Sequence, residues 1–103
     1  MQQTLTKVRN LEKFIQKHGE DVVISRTINK MLEYRIMKYD EEIKRLDKEL
    51  KKFERKFKKT SSAFLKEFNM GKLGDHMDFI EWSSLYQMRN GLAGKKAEFE
   101  GMK

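Results

Sequence analysis

The sequence contains no cysteine and no proline. The lack of cysteine excludes disulfides, zinc–thiolate sites and thiol nucleophiles, and it favours a reducing compartment such as the cytoplasm. A membrane-spanning helix needs about 18 consecutive apolar residues, and no such run is present. The N-terminal stretch MQQTLTKVRNLEKFI alternates charged and apolar residues where a signal peptide has a continuous apolar run. We therefore expect a soluble, cytoplasmic, helix-rich protein with no membrane partner.

Motifs of the common enzyme and nucleotide-binding families are also absent. The sequence has no GxxxxGK[ST], GxGxxG, HExxH or GxSxG pattern. Its two histidines, His18 and His76, are far apart in the chain. We therefore expect no enzyme activity, no catalytic or metal-binding residue and no cofactor.

The chain carries a net charge of +7, which suggests nucleic acid or another anionic partner. The excess of bases lies in residues 1–31 (+3) and 32–60 (+4), whereas residues 61–103 are neutral. The basic part of the chain is therefore not the part that contains the only tryptophan.

Residues 27–59 contain neither glycine nor proline and predict one long helix. Its apolar residues alternate steps of four and three, which is a heptad seam of Leu32, Ile36, Tyr39, Ile43, Leu46, Leu50, Phe53 and Phe57. Such a helix is roughly 45 to 50 Å long, longer than a compact domain of about 100 residues is wide. The seam therefore needs a cover, and its length leads us to expect a dimer.

Acidic residues flank this seam at the heptad positions beside it. They are Glu33, Asp40, Asp47 and Glu54 on one side and Glu42 and Glu49 on the other. A parallel homodimer would place acid against acid, whereas within the helix Asp40–Lys44, Asp47–Lys51 and Glu54–Lys58 are favourable i, i+4 pairs. We expect other helices, from the same chain or from a second copy, to cover the seam.

Shorter helices complete a predicted all-α fold, a helical hairpin or bundle built on the long, coiled-coil-like central helix in a single domain, residues 1–103. The predicted elements are an N-terminal helix at about 4–18, a short helix at 62–70, a C-terminal helix at 76–90 and a frayed tail at 91–103 that contains three glycines. The stretch VVIS, residues 22–25, reads either as a short strand or as an extended connection.

The stretch KLGDHMDFIEW, residues 72–82, concentrates residue types that bind metals or move protons. On a helix, however, His76 and Asp78 point about 160° apart, so these side chains do not converge on one ion. Asp75 instead stands where an N-cap belongs, with Asp78 three residues later as in a capping box. We expect the two aspartates to cap the last helix.

The same helix carries an aromatic stripe of Phe79, Trp82 and Tyr86 at helical spacing, with Leu85 beside it. A second apolar face lies roughly 120° away and comprises Met77, Leu85, Met88 and Leu92. Together the two faces are wider than a helix packed once in a hairpin needs. Either both pack within the protein or its dimer, or Phe79, Trp82, Leu85 and Tyr86 form a partner-binding surface, for which such residue types are enriched.

The stretch KKFERKFKK, residues 51–59, is strongly basic. Its Lys51, Lys52, Arg55 and Lys56 are candidates for nucleic-acid contact through phosphates, without sequence preference. The alternative is an ordinary solvated helix face whose position also suits the negative end of the long helix.

Three stretches together show a family resemblance. They are ISRTINKMLEY (24–34), EEIKRLDKELKKFERKF (41–57) and SSAFLKEFNMGKLGDHMDFIEWSSLYQM (61–88), and the most specific part is G-x-L-G-D-x-M-D-F-x-E-W. This order resembles the TumA-like antitoxins, small all-helical bacterial and archaeal proteins found beside TumE-like RNase toxins. The chain departs from that pattern at His76, where we expect a second acid, and at Gly91 and Gly94, where we expect a continuous helix.

The resemblance implies a non-catalytic antitoxin of a type II toxin–antitoxin module that binds and neutralises a cognate toxin, with DNA binding by the complex as a further role. Our leading hypothesis is therefore a protein-interaction protein, a homodimer that also binds a toxin. The alternatives are a basic helical nucleic-acid-binding protein and a structural dimer or scaffold without further activity.

Overall fold

The computed structural model describes residues 2–103 and contains, in that range, four helices and no strand. The helices are α1 (Gln2–His18), α2 (Val22–Phe57), α3 (Ser61–Asn69) and α4 (Met77–Gly101). The predictions of an all-α protein and of a long helix are therefore confirmed. The chain divides into two compact units, residues 1–31 and 32–103, which we describe separately.

In the first unit a glycine ends α1. Gly19 adopts a φ of 86°, a left-handed conformation that costs glycine nothing, and its N–H donates to the Ile15 carbonyl at 2.7 Å. This is the usual way to close the last turn of a helix.

The start of α2 differs from the sequence-based expectation, because VVIS is helical. Asp21 acts as the N-cap, and its Oδ1 accepts a hydrogen bond from the Ile24 N–H at 3.0 Å. The Thr27 hydroxyl donates to the Val23 carbonyl at 2.7 Å within the first turns. A strand or an extended connection is therefore wrong here, since the cap satisfies a free N–H and offsets the weak helix propensity of β-branched residues.

The second unit is an antiparallel hairpin of α2 and α4 with α3 at its closed end. Three contacts along its length are Phe57–Phe79 (ring centroids 5.1 Å apart), Arg89 Nε–Asp47 Oδ1 (3.0 Å) and Tyr39–Phe99 (ring centroids 5.8 Å apart). All eight seam residues are buried or half-buried, which confirms the predicted seam. The cover comes from the chain itself over this length, so seam length no longer argues for a dimer there.

Helix α4 is longer than the sequence predicted. It continues through Gly91 and Gly94 and ends at Gly101, so the predicted end at residue 90 and the frayed tail are wrong. The tail is held by tertiary contacts, because Phe99 packs on Tyr39 and the Lys96 Nζ lies 3.0 Å from Asp40 Oδ1. Such contacts offset the low helix propensity of glycine.

The connection between α2 and α3 is short and capped. Lys58 has a φ of 53°, a left-handed conformation at the end of α2. The Thr60 hydroxyl then accepts from the Ala63 N–H at 3.1 Å as the N-cap of α3. Among the described helices, none is both long and apolar enough to cross a membrane.

Candidate interaction surfaces

Trp82 of the aromatic stripe lies inside the core of the second unit. Its side chain is 0% exposed. The Phe64 ring stacks on it at 3.8 Å between centroids and an interplanar angle of 5°, and the rings of Phe53 and Phe57 each lie 5.7 Å away. The prediction of a partner-binding role is therefore wrong for Trp82, because no surface of it is left for a partner in this fold.

The other members of the stripe also contribute to this core. Phe79, Leu85 and Tyr86 are half-buried and pack against the cluster around Trp82. The second apolar face of α4 is only partly covered. Leu92 is half-buried, whereas Met77 and Met88 are 77% and 53% exposed. The aromatic stripe is thus packing surface, and only its outer edges are accessible.

A polar chain runs through the same core and connects three helices. The Trp82 Nε1–H donates to Ser61 Oγ at 2.8 Å. The Ser61 hydroxyl donates to Glu54 Oε2 at 2.8 Å, and the Ser61 N–H donates to the same oxygen at 2.9 Å. Among the described residues, no buried side-chain nitrogen or oxygen lacks a partner. Sequence reasoning missed this network, because Ser61 and Trp82 are 21 residues apart and no local spacing relates them.

The acids beside the seam are used mainly between helices. Asp47 accepts from Arg89 and Glu54 accepts from Ser61, so the predicted pairs with Lys51 and Lys58 do not form. The Asp40–Lys44 pair does form, at 3.2 Å, but Asp40 also accepts from Lys96 of α4. The hydrogen bond from Lys96, together with that from Lys44, lowers the pKa of the Asp40 carboxyl.

In the KLGDHMDFIEW stretch, the N-cap of α4 is not the predicted residue. His76, not Asp75, is the N-cap, and its Nδ1 accepts from the Asp78 N–H at 3.0 Å. The helix begins at Met77, so the cap position falls one residue later than the sequence suggested. Asp78 Oδ2 accepts from Lys56 Nζ at 2.7 Å, and this hydrogen bond lowers the pKa of Asp78.

In residues 2–103, no three histidine or acidic side chains form a group able to hold a metal ion. The contacts that the stretch makes are those of a helix start and of an ion pair between α2 and α4.

Half of the bases in residues 51–59 are paired with acids. The pairs are Lys52–Glu49 (3.2 Å), Lys56–Asp78 (2.7 Å) and Lys59–Glu67 (3.0 Å). Lys51 and Arg55 line an open depression of about 420 Å³ beside Thr60. Of the four predicted nucleic-acid contacts, only these two lack an acid partner among the residues described.

The apolar residues of residues 3–31 behave differently, because none of them is buried. Leu11, Ile15, Ile24 and Ile28 are half-buried. The exposed ones are Leu5 (48%), Val8 (55%), Phe14 (46%), Val22 (65%), Val23 (74%) and Met31 (53%). This hairpin of α1 and the first turns of α2, which we call the N-terminal hairpin, has apolar side chains but no core.

Two open grooves lie between the helices of the N-terminal hairpin. One has a volume of about 260 Å³ and is lined by Val8, Leu11, Glu12, Ile15, Gln16 and Ile28. The other has a volume of about 420 Å³ and is lined by Lys7, Asn10, Leu11, Phe14 and Ile24. Leu11 lines both grooves, and on α1 the other lining residues of the two grooves lie on opposite sides of it.

The N-terminal hairpin also contains more basic than acidic residues. Residues 3–31 contain six bases and three acids. All seven ion pairs in the described part of the chain lie in the second unit. One of the three acids, Asp21, serves as the N-cap of α2. The sequence predicted a helix here but no binding surface; the signal for a surface is the apolar run VVI, residues 22–24.

Comparisons of the chain with protein-family models, with curated proteins and with solved structures find no match.

Proposed function

We propose that the protein is a non-catalytic protein-interaction protein and that it acts as the antitoxin of a two-gene toxin–antitoxin module. The observation that carries the proposal is the N-terminal hairpin, in which apolar side chains line open grooves and none is buried. Exposed apolar surface rimmed by polar residues is typical of protein-binding sites. The resemblance of residues 24–88 to TumA-like antitoxins supplies the class of partner, an RNase toxin.

The mechanism that follows is occlusion. The second unit carries the buried core, which contains Trp82. The N-terminal hairpin docks on the toxin, covers its own apolar residues and blocks access of RNA to the toxin's active site. No step of this mechanism needs a cofactor, a metal ion or a reacting side chain on this chain.

The test is co-expression with the small nuclease-like protein encoded by the neighbouring gene. We expect growth arrest by that protein alone, relief of the arrest when both are made, and a complex that survives size-exclusion chromatography. Absence of both relief and complex would show that the antitoxin proposal is wrong.

A second candidate function is nucleic-acid binding through the depression beside Lys51 and Arg55. The observation that favours it is that these two bases lack acid partners among the described residues while lining one open site. Binding of this kind weakens steeply with added salt. Lys51→Gln with Arg55→Gln should then abolish retention on a labelled RNA, whereas Lys48→Gln, an exposed base elsewhere on α2, should not. Retention that persists in the double variant excludes this site.

A further inference from the structure

We infer that the N-terminal hairpin binds an amphipathic helix whose apolar side chains are flanked by acidic ones. This inference rests on the proposed protein-binding function and adds the place and the chemistry of the contact. The occupant is thus a segment of another protein with apolar anchors and negative charge.

The shape of the site supports a helix as occupant. The larger groove lies between two helices, because Leu11 and Phe14 of α1 and Ile24 of α2 line it. Grooves between two helices receive the i, i+3, i+4 and i+7 side chains of a third helix, and this arrangement recurs in helix recognition. A third helix would also cover the apolar faces that the two helices of the hairpin leave exposed.

The positive charge of the site favours a negatively charged occupant. Six bases lie in residues 3–31, and none of them forms an ion pair within the described part of the chain. Lys7 lies at the rim of the larger groove, whereas the acid Glu12 lines the smaller one, so the larger groove is the basic one of the two. Acidic residues on the partner would compensate this charge, and complementary potentials guide association and exclude wrong partners.

A second copy of the chain fits this site less well. Two N-terminal hairpins placed face to face would each bring a net charge of +3 from residues 1–31. Like charges at a contact cost free energy. The charge therefore favours an acidic partner over self-association through this surface.

Nucleic acid and a lipid surface also fit less well than an acidic helix. A phosphate backbone would satisfy the bases but would leave Leu11, Phe14 and the groove walls exposed to water. A bilayer surface accepts the apolar face of one amphipathic helix, whereas the apolar residues here come from two helices and line open grooves between them.

The experiment uses the full-length chain and three labelled synthetic peptides, each about five helical turns long. The first has leucine at i, i+3, i+4 and i+7 with glutamate on both flanks; the second has lysine for each glutamate; the third keeps glutamate but has serine for each leucine. We expect the acidic amphipathic peptide to bind about ten-fold or more tightly than its lysine counterpart, with no binding of the serine peptide, as measured by fluorescence anisotropy.

Variants of the chain test whether the acidic peptide binds to the N-terminal hairpin. Phe14→Ser removes an exposed groove wall, and Lys7→Glu reverses the charge at the rim; each should weaken binding of the acidic peptide by about ten-fold. The matched controls are Met88→Ser, an exposed apolar residue on α4, and Lys48→Glu, an exposed base on α2. Both controls should bind as the unaltered chain does. Circular dichroism of every variant checks that helicity is retained.

Four outcomes would overturn the inference. They are equal binding of acidic and basic peptides, binding unaffected by Phe14→Ser and Lys7→Glu, binding only to phosphatidylserine vesicles or single-stranded RNA, and a concentration-dependent dimer that Phe14→Ser abolishes. If the toxin is bound and neutralised equally well by both hairpin variants, the helix site and the docking of the hairpin on the toxin fail, while the antitoxin role stands. If the acidic peptide binds as expected but no toxin is neutralised, the antitoxin proposal fails while the helix site stands.

Discussion

The two units of the chain have similar proportions of apolar residues but use them differently. In residues 32–103, α3 and α4 cover the seam of α2, and all the fully buried residues of the described chain lie there. In residues 2–31, two helices face each other and nothing in the unit covers their remaining apolar surface. Apolar content alone therefore does not decide burial; the number of helices that meet along one seam does.

The two units also differ in their polar contacts. The second unit contains the Trp82–Ser61–Glu54 chain and the ion pairs that join α2 to α4, such as Asp47–Arg89. The N-terminal hairpin has caps and local hydrogen bonds but no ion pair among the residues described. The contrast teaches that contacts between helices distant in sequence stabilise the second unit, whereas the polar contacts of the N-terminal hairpin are local.

The largest expected effect tests burial with one aromatic truncation in each unit. Trp82→Ala should reduce the free energy of unfolding by about 3–5 kcal/mol, because it removes the centre of the core and leaves a cavity. Phe14→Ala, at a residue 46% exposed, should cost less than about 1 kcal/mol. Urea unfolding followed by circular dichroism measures both. Equal losses would mean that Phe14 is buried in solution, and the two units would then not differ in burial.

The next effect concerns the polar chain in the core. Ser61→Ala leaves the Trp82 Nε1–H buried without an acceptor, so we expect a loss of about 1–3 kcal/mol. The neighbouring Ser62 is exposed, and Ser62→Ala should change stability by no more than about 0.5 kcal/mol. The same unfolding measurement applies. If the two serine variants behave alike, the hydrogen bond to Trp82 contributes nothing to the stability of the second unit.

A smaller effect, and one of opposite sign, tests the length of α4. Gly94 is helical and an added Cβ would meet nothing within 4 Å, so Gly94→Ala should raise stability by about 0.5–1 kcal/mol. Gly74 has a φ of 76°, and Gly74→Ala should lower stability instead, because alanine tolerates that conformation poorly. A tail that is frayed in solution would give no gain from Gly94→Ala.

The smallest effect is the pH dependence of the ion pairs in the second unit. The pKa of Asp40 is lowered by hydrogen bonds from Lys96 and Lys44. Its contribution to stability is therefore complete above the unfolded-state pKa of about 3.9 and is lost as the pH falls through the lower folded-state pKa.

Unfolding curves of the unaltered chain and of Asp40→Asn, recorded at several pH values, check this dependence. The two should differ by a constant amount at neutral pH and converge in acid. Glu33→Gln removes an exposed acid with no ion-pair partner among the described residues and serves as the control. A difference that persists unchanged below the folded-state pKa would exclude the ion pairs of Asp40 as its cause.

Local patterns in the sequence predicted the second unit well in outline. The eight-residue seam of α2 follows from the spacing of apolar residues within the helix. The errors lie where a tertiary contact overrides propensity, as in the tail of α4, which Phe99 and Lys96 hold against α2. At the start of α2 the error has a local cause, because Asp21 was not recognised as a cap for the β-branched run.

The candidate site was harder to predict from the sequence than the fold. Aromatic residues are enriched both in cores and in binding surfaces, so composition could not decide the role of Trp82. Its location became clear only through the stacking of Phe64 and the hydrogen bond to Ser61. Leu5, Val8, Leu11 and Ile15 of α1 recur at steps of three or four residues, as the seam of α2 does, yet none of them is buried.

The sequence by itself determined that the protein is helical, that α2 is long, and which face of α2 is apolar, because these properties depend on neighbours within about two turns. Only the tertiary structure decided which apolar faces are covered. It placed Trp82 in the core, turned Asp47 and Glu54 towards other helices, and left Phe14 and Val8 at open grooves. The physical reason is that burial is a property of contacts between distant segments, and spacing along one helix cannot show what another helix will cover.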